Sequence, residues 1–241
     1  MVDLFVFLRD TIHFLPLIIK HMENRITYRE RRIFTLVIEG IDFAGKTTLA
    51  HQIQASLINQ SYDVKLLHDP KGSKNAQLIW ETILTIKNED AHPITEFFLF
   101  LAARHELIYK EALVGGGVDV LIFDRFIFST IAYQLTHQPD YWAPFLTTHR
   151  IFSGLMPDLC IYCDIDFNTF QLRSQSRSSQ DAFDQMSQKR FEAIKQAYKQ
   201  TLQLKLCPYI QVNQQNNDCS TLIQDVVKHI SMEPPRCDLV K

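Results

Sequence analysis

The stretch Gly40-Ile41-Asp42-Phe43-Ala44-Gly45-Lys46-Thr47-Thr48 constrains this chain more than any other. It satisfies G-x-x-x-x-G-K-[ST], in which glycines let successive backbone N–H groups converge on phosphate oxygens. At average residue frequencies such a match arises by chance in a chain of this length on the order of 1% of the time. An apolar run at 33–38 precedes the loop and a helical pattern follows it, the strand–loop–helix setting that phosphate binding needs. Residues Gly40 to Thr48 are therefore candidates for holding the β- and γ-phosphates of a nucleotide, with Lys46 and the helix dipole adding positive potential. Thr47 offers its hydroxyl to a magnesium ion. Asp42 is the anomaly, because a carboxylate inside an anion-binding loop has to face something other than the anion.

Beyond the loop, short apolar runs alternate with helical patterns, which predicts a parallel α/β sheet covered on both faces. The expected strands are 33–38, 64–68, 118–123, 159–164 and 209–212. The expected helices are about 46–60, 75–87, 93–114, 125–136, 141–152, 167–175, 183–206 and 220–231. With 241 residues, 46% of them apolar, the chain can bury one large core. We expect a single domain at 32–241 behind an N-terminal extension at 1–31. Arg9, Asp10 and His13 interrupt the apolar part of that extension well short of the roughly 20 residues of a membrane span. Asp3 precedes any Lys or Arg, unlike a signal peptide.

A net charge of −2 argues against nucleic acid as a partner. Five cysteines without a framework spacing suit a reducing, cytoplasmic setting. Cys160 and Cys163 lie three apart on an expected strand, so they point to opposite faces and do not share a metal.

The segment Leu121 to Gln134, LIFDRFIFSTIAYQ, supplies a second group of candidates. Asp124 ends the third strand at its carboxyl edge, beside the phosphate loop, and joins Thr47 as a candidate for magnesium. Arg125, Ser129 and Tyr133 are spaced by four, so a helix would carry them on one face as a phosphate fork, a hydroxyl and an aromatic wall. No Asn-Lys-x-Asp guanine contact follows, which excludes the usual GTP-dependent switch.

Together IEGIDFAGKTT, DRFIFSTIAYQ and MPDLCIYCDID resemble the thymidylate kinase family, over residues 32 to about 230. The resemblance implies a P-loop NTPase-type three-layer α/β fold with a five-stranded parallel sheet in the order 2-3-1-4-5 and a lid at about 172–182. It also implies a homodimer that uses ATP and Mg2+ to phosphorylate dTMP. On this reading Asp42 hydrogen-bonds the 3′-hydroxyl of the acceptor, and Tyr133 crowds the 2′ carbon. Phe100 stacks on thymine while Arg104 donates to its O4, which favours thymine or uracil over cytosine. Ser129 and Gln134 belong to the same acceptor site.

Within HDPKGS, Pro70 keeps the family pattern, whereas His68 and Gly72 stand where arginines are usual. Lys71 or Lys74 is then expected on the acceptor phosphate. Phe43 leaves the phosphate loop without an arginine, so the charge beyond Lys46 and Arg125 is expected from the lid residues Arg173 and Arg177. Two other readings remain compatible with the residues: a deoxynucleoside kinase, and a nucleotide-binding regulator without turnover.

Overall fold

The computed structural model describes residues 33–88, 92–113, 118–176, 186–213 and 219–232. The N-terminal extension, the glycine run 115–117, the turn 216–218 and most of the expected lid, Arg177 included, lie outside the described residues. Five parallel strands form one sheet: β1 (Phe34–Gly40), β2 (Val64–His68), β3 (Val120–Asp124), β4 (Leu159–Asp164) and β5 (Tyr209–Asn213). Their order is β2-β3-β1-β4-β5, as expected.

Strands β1 and β3 are buried along their whole length, in keeping with β-branched and aromatic runs that lack polar alternation. Register places Ile38 opposite Asp124 and Gly40 opposite Cys163. The carboxyl ends of β1 and β3 are thus brought level, at the point where the chain passes from one side of β1 to the other.

Eight α-helices cover the sheet among the described residues. They are α1 (Lys46–Asn59), α2 (Lys74–Asn88), α3 (Pro93–Leu107), α4 (Ile127–Gln134), α5 (Trp142–Ser153), α6 (Phe167–Gln175), α7 (Gln188–Gln203) and α8 (Cys219–Met232). Local chemistry sets several ends. Pro93 opens α3, Asp166 caps α6 by accepting from the Thr169 N–H at 2.6 Å, and left-handed Gly154 (φ 64°) closes α5. None of these helices is long and apolar enough to cross a membrane.

Three helices differ from expectation: the one expected at 183–206 runs only from Gln188 to Gln203, where Ser187 caps its start by accepting from the Arg190 N–H. The helix expected at 93–114 stops being α-helical at Leu107 and continues as a π-helix, Ile108–Leu113. Ile108 and Ala112 stay buried there while Lys65 donates to the Glu111 carbonyl at 3.2 Å, a constraint from β2 that no local pattern encodes. The helix expected from 125 begins at Ile127, because Arg125 adopts a left-handed backbone (φ 70°) and donates its N–H to the Ile38 carbonyl.

Gly40 ends β1 at φ 142°, and a Cβ there would overlap the carbonyl oxygen of Cys163. Gly40→Ala should therefore lower unfolding free energy by about 3 kcal/mol in urea denaturation, with an unchanged value opposing this account.

His149 is 1% exposed between Phe126 and Phe145, and its Nε2 donates to the Leu155 carbonyl at 2.8 Å. Burial, aided by nearby Arg104, pushes its pKa down to about 3 from an ordinary 6.5. Between those values the unfolded chain binds the proton and the folded one does not. This contribution to stability is therefore present above pH 6.5 and lost as pH falls toward 3. His149→Gln should flatten the acid dependence in that window by on the order of 4 kcal/mol, read from denaturation curves at successive pH values.

Candidate functional site

A cleft of about 680 Å³ opens at the carboxyl ends of β1, β2 and β3. The phosphate loop forms one wall, and side chains from α2, α3, α4 and α6 form the others. Its size falls within the usual range for small-molecule sites.

The loop is shaped by two left-handed residues, Phe43 (φ 63°) and Gly45 (φ 80°), the second of which caps α1. Ile41 and Ala44 are buried beneath it, so their side chains support the loop. Lys46 is 6% exposed and donates to the Ile41 carbonyl at 2.7 Å. Burial and the neighbouring Arg125 push its pKa down to about 8, although Asp42 and Asp124 pull the other way. Two cations side by side in a sheltered cleft form a place where added negative charge is stabilised. Thr48 reaches the rim of the same cleft.

Asp42 turns from the phosphate side toward β3 and α4. Its carboxylate meets Arg125 Nη2 and accepts from the Tyr133 hydroxyl at 2.8 Å. Burial pushes this carboxyl up, but Arg125 and Lys46 outweigh it and hold the pKa below the usual range. The expected helix face of Arg125, Ser129 and Tyr133 is corrected here, since Arg125 precedes the helix. The three still converge, because Arg125 Nη1 reaches the Gly40 carbonyl and Ser129 Oγ, both at 3.2 Å, and its guanidinium stands 5.2 Å from the Tyr133 ring centre.

Behind them Glu39 is fully buried. It accepts from the N–H groups of Phe126 (2.7 Å) and Ser129 (3.2 Å) and from Ser129 Oγ (2.5 Å). The Tyr198 hydroxyl of α7 lies 2.8 Å from that same Oγ.

At the far end, Phe100 meets Trp80 edge-on with ring centres 5.8 Å apart, and both line the cleft. Arg104 departs from expectation. Its Nε and Nη2 donate to Asp69 Oδ2 at 2.9 and 2.5 Å, and Nη2 also reaches Thr130 Oγ1 at 2.7 Å. A protein carboxylate, rather than a ligand alone, thus satisfies this buried arginine. Its Nη1 is buried without a hydrogen-bond partner among the described residues, so the donors on that nitrogen are unused. Lys71, one of the two lysines expected on an acceptor phosphate, lines the cleft, and its ammonium lies 4.4 Å from the Trp80 ring centre, where the indole face attracts it. Pro70 and Gln134 line the cleft as expected.

Thr47 Oγ1 donates to Asp124 Oδ2 at 2.5 Å, and His68 Nδ1 approaches the same oxygen at 3.3 Å. Although burial opposes it, the His68 hydrogen bond and then Lys46 bring the Asp124 pKa down to about 2. The other carboxylate oxygen is buried without a partner among the described residues. An ionised carboxylate with an unused oxygen beside a hydroxyl fits a hard divalent cation such as magnesium. Arg173 of α6 lines the cleft and donates from Nη1 to the Phe43 carbonyl at 2.8 Å, across 130 residues of sequence.

A profile of the thymidylate kinase family matches residues 38–224. The chain belongs to that family. Three relatives named thymidylate kinase illustrate the distance. The one from Pseudomonas putida (strain GB-1) is 32% identical over 172 residues, 70% of this chain and 81% of its own. Its counterpart in Mycoplasmoides gallisepticum is 30% identical over 171 residues, 69% and 80% respectively. In Chlorobium limicola the identity is 35% over 162 residues, 65% and 73%. The crystal structure of thymidylate kinase from Ehrlichia chaffeensis superposes with a TM-score of 0.58, covering 84% of this chain and all of that one. At 23% identity that superposition bears on the fold.

Several residues of the cleft and of the layer behind it were missed in the sequence. Glu39 is a carboxylate closing an otherwise apolar strand, and that signal was readable. Asp69, Trp80, Thr130 and Tyr198 carry none that is local. Arg104→Met would leave Asp69 buried without the cation that hydrogen-bonds it, and stability should fall by about 3–5 kcal/mol in urea denaturation. The double variant Asp69→Asn/Arg104→Met should lose clearly less; equal losses would count against the pair.

Proposed function

We propose that this chain is a thymidylate kinase that transfers the γ-phosphoryl group of ATP to dTMP, giving ADP and dTDP. The observation that carries this reading is the double orientation of one loop. Lys46, held under the loop by the Ile41 carbonyl, is the cation on the donor side of the cleft, while Asp42, tied to Arg125 and Tyr133, faces the acceptor side. Both reactants would then lie on one short stretch of backbone, which converts an encounter in solution into a positioned transfer.

In this mechanism Asp42 accepts from the 3′-hydroxyl of the deoxyribose, and Tyr133 fills the space a 2′-hydroxyl would need. Arg125 moves part of its charge from Asp42 to the acceptor phosphate. Phe100 and Trp80 wall the base, and the spare Arg104 donor meets its O4. Lys46, Arg125 and Arg173 place three positive charges around the transferring group, where negative charge spreads over the equatorial oxygens. Thr47 and Asp124 would hold Mg2+, which when bound neutralises charge on the β- and γ-phosphate oxygens. The single domain at 32–241, its lid near 172–182, a homodimer and a cytoplasmic setting complete the reading, and their support is membership of the family.

With ATP and Mg2+, ADP formation should rise in proportion to added dTMP and should not rise with thymidine. Arg125→Ala should lower kcat/KM for dTMP by about 10²–10³-fold in the same coupled assay. Turnover indifferent to dTMP would overturn the proposal.

A further inference from the structure

Phe43 occupies a left-handed backbone position, uncommon for any residue other than glycine. Both of its ends are engaged by the same helix. Its ring meets Phe170 edge-on with centres 5.5 Å apart, and its carbonyl accepts from Arg173 Nη1 at 2.8 Å. Phe170 and Arg173 are three residues apart on α6, hence on one helix face, so a single loop residue can touch both.

Phe170 is itself fixed. It is 2% exposed, with the rings of Phe167 and Phe191 at 6.0 and 5.4 Å. The start of α6 is held by the Asp166 cap, and Lys195 of α7 donates to the Ile165 carbonyl at 2.8 Å just before it. The core therefore grips α6 one turn before the guanidinium.

We propose that Phe43 is a positioning residue for Arg173: its ring and carbonyl dock α6 on the phosphate loop, so that Arg173 stands in the cleft before substrates arrive. The inference rests on the kinase reading above, in which Arg173 supplies charge to the transferring phosphoryl group. An arginine side chain is long and loses much rotamer freedom on being fixed. A side chain already placed by packing and a hydrogen bond avoids that loss during the reaction. A loop without its own arginine thus gains one from α6, and the aromatic residue in the arginine's place makes the attachment. Strain at Phe43 is compatible with this role, because such conformations persist where surrounding contacts hold them.

Phe43→Gly separates the two properties, since glycine adopts the left-handed backbone freely but has no ring. With ATP, Mg2+ and dTMP, Phe43→Gly should lower kcat about tenfold and Arg173→Ala about 100-fold, with KM for dTMP within about threefold of the parent. The double variant should be no slower than Arg173→Ala to within about threefold, because the ring acts only through that arginine. Phe43→Leu, which keeps an apolar contact, should retain at least about a third of the parental kcat. Amide hydrogen exchange across 167–176 should quicken in Phe43→Gly without substrates, while the melting temperature stays within a few degrees. Multiplicative losses in the double variant, or unchanged exchange in 167–176, would overturn the positioning role. Absence of dTMP-dependent turnover in the parent protein would instead overturn the kinase reading, and the exchange measurement would still decide the attachment of α6.

Discussion

Glu39 is a carboxylate with no access to water, and the geometry of the cleft depends on how its lone pairs are filled. Burial pushes its pKa up, and hydrogen bonds from Ser129 and the charge of Arg125 oppose that shift. The donors come from the residue before α4, from α4 itself and from α7. A buried acceptor with several fixed donors resists rearrangement, because any displaced element would leave it unsatisfied. Strand β1, helix α4 and helix α7 are thereby held in one arrangement, and Arg125 emerges beside them at a defined position.

The phosphate loop divides its labour by direction. Backbone turns at Phe43 and Gly45 shape the loop above Lys46, whereas the Asp42 side chain points to Arg125 and Tyr133. Its carboxyl stays ionised because Arg125 and Lys46 outweigh its burial. A carboxylate near an anion site is tolerable when the cations beside it can serve both. The same economy appears at the far end of the cleft, where Asp69 holds Arg104 by one edge and leaves Nη1 unused at the other.

Much of this architecture was readable before any coordinates. All five strands were found within two residues at each end, since buried parallel strands advertise themselves as short apolar runs between helical patterns. The loop, Asp124 and the Arg125–Ser129–Tyr133 set were also readable, because each depends on residues close in sequence. What spacing does not announce has one cause. Spacing puts Arg125 on a helix face, yet its N–H is claimed by the Ile38 carbonyl of another strand. Lys71 lines the cleft, and the Trp80 ring that lies 4.4 Å from its ammonium belongs to the next helix. Arg104 lines the cleft as well, and its carboxylate partner Asp69 lies 35 residues away.

The order of residues by itself determined the fold class, the family and the existence of a phosphate loop that carries an acid, because periodicity and motif spacing are local properties. Tertiary structure alone decided which groups pair. Asp42 with Arg125, Asp69 with Arg104, Glu39 with Tyr198 and Phe43 with Arg173 are separated by 83, 35, 159 and 130 residues. Electrostatic and packing partners are chosen by distance in space, and only the assembled sheet and its helices bring these within reach.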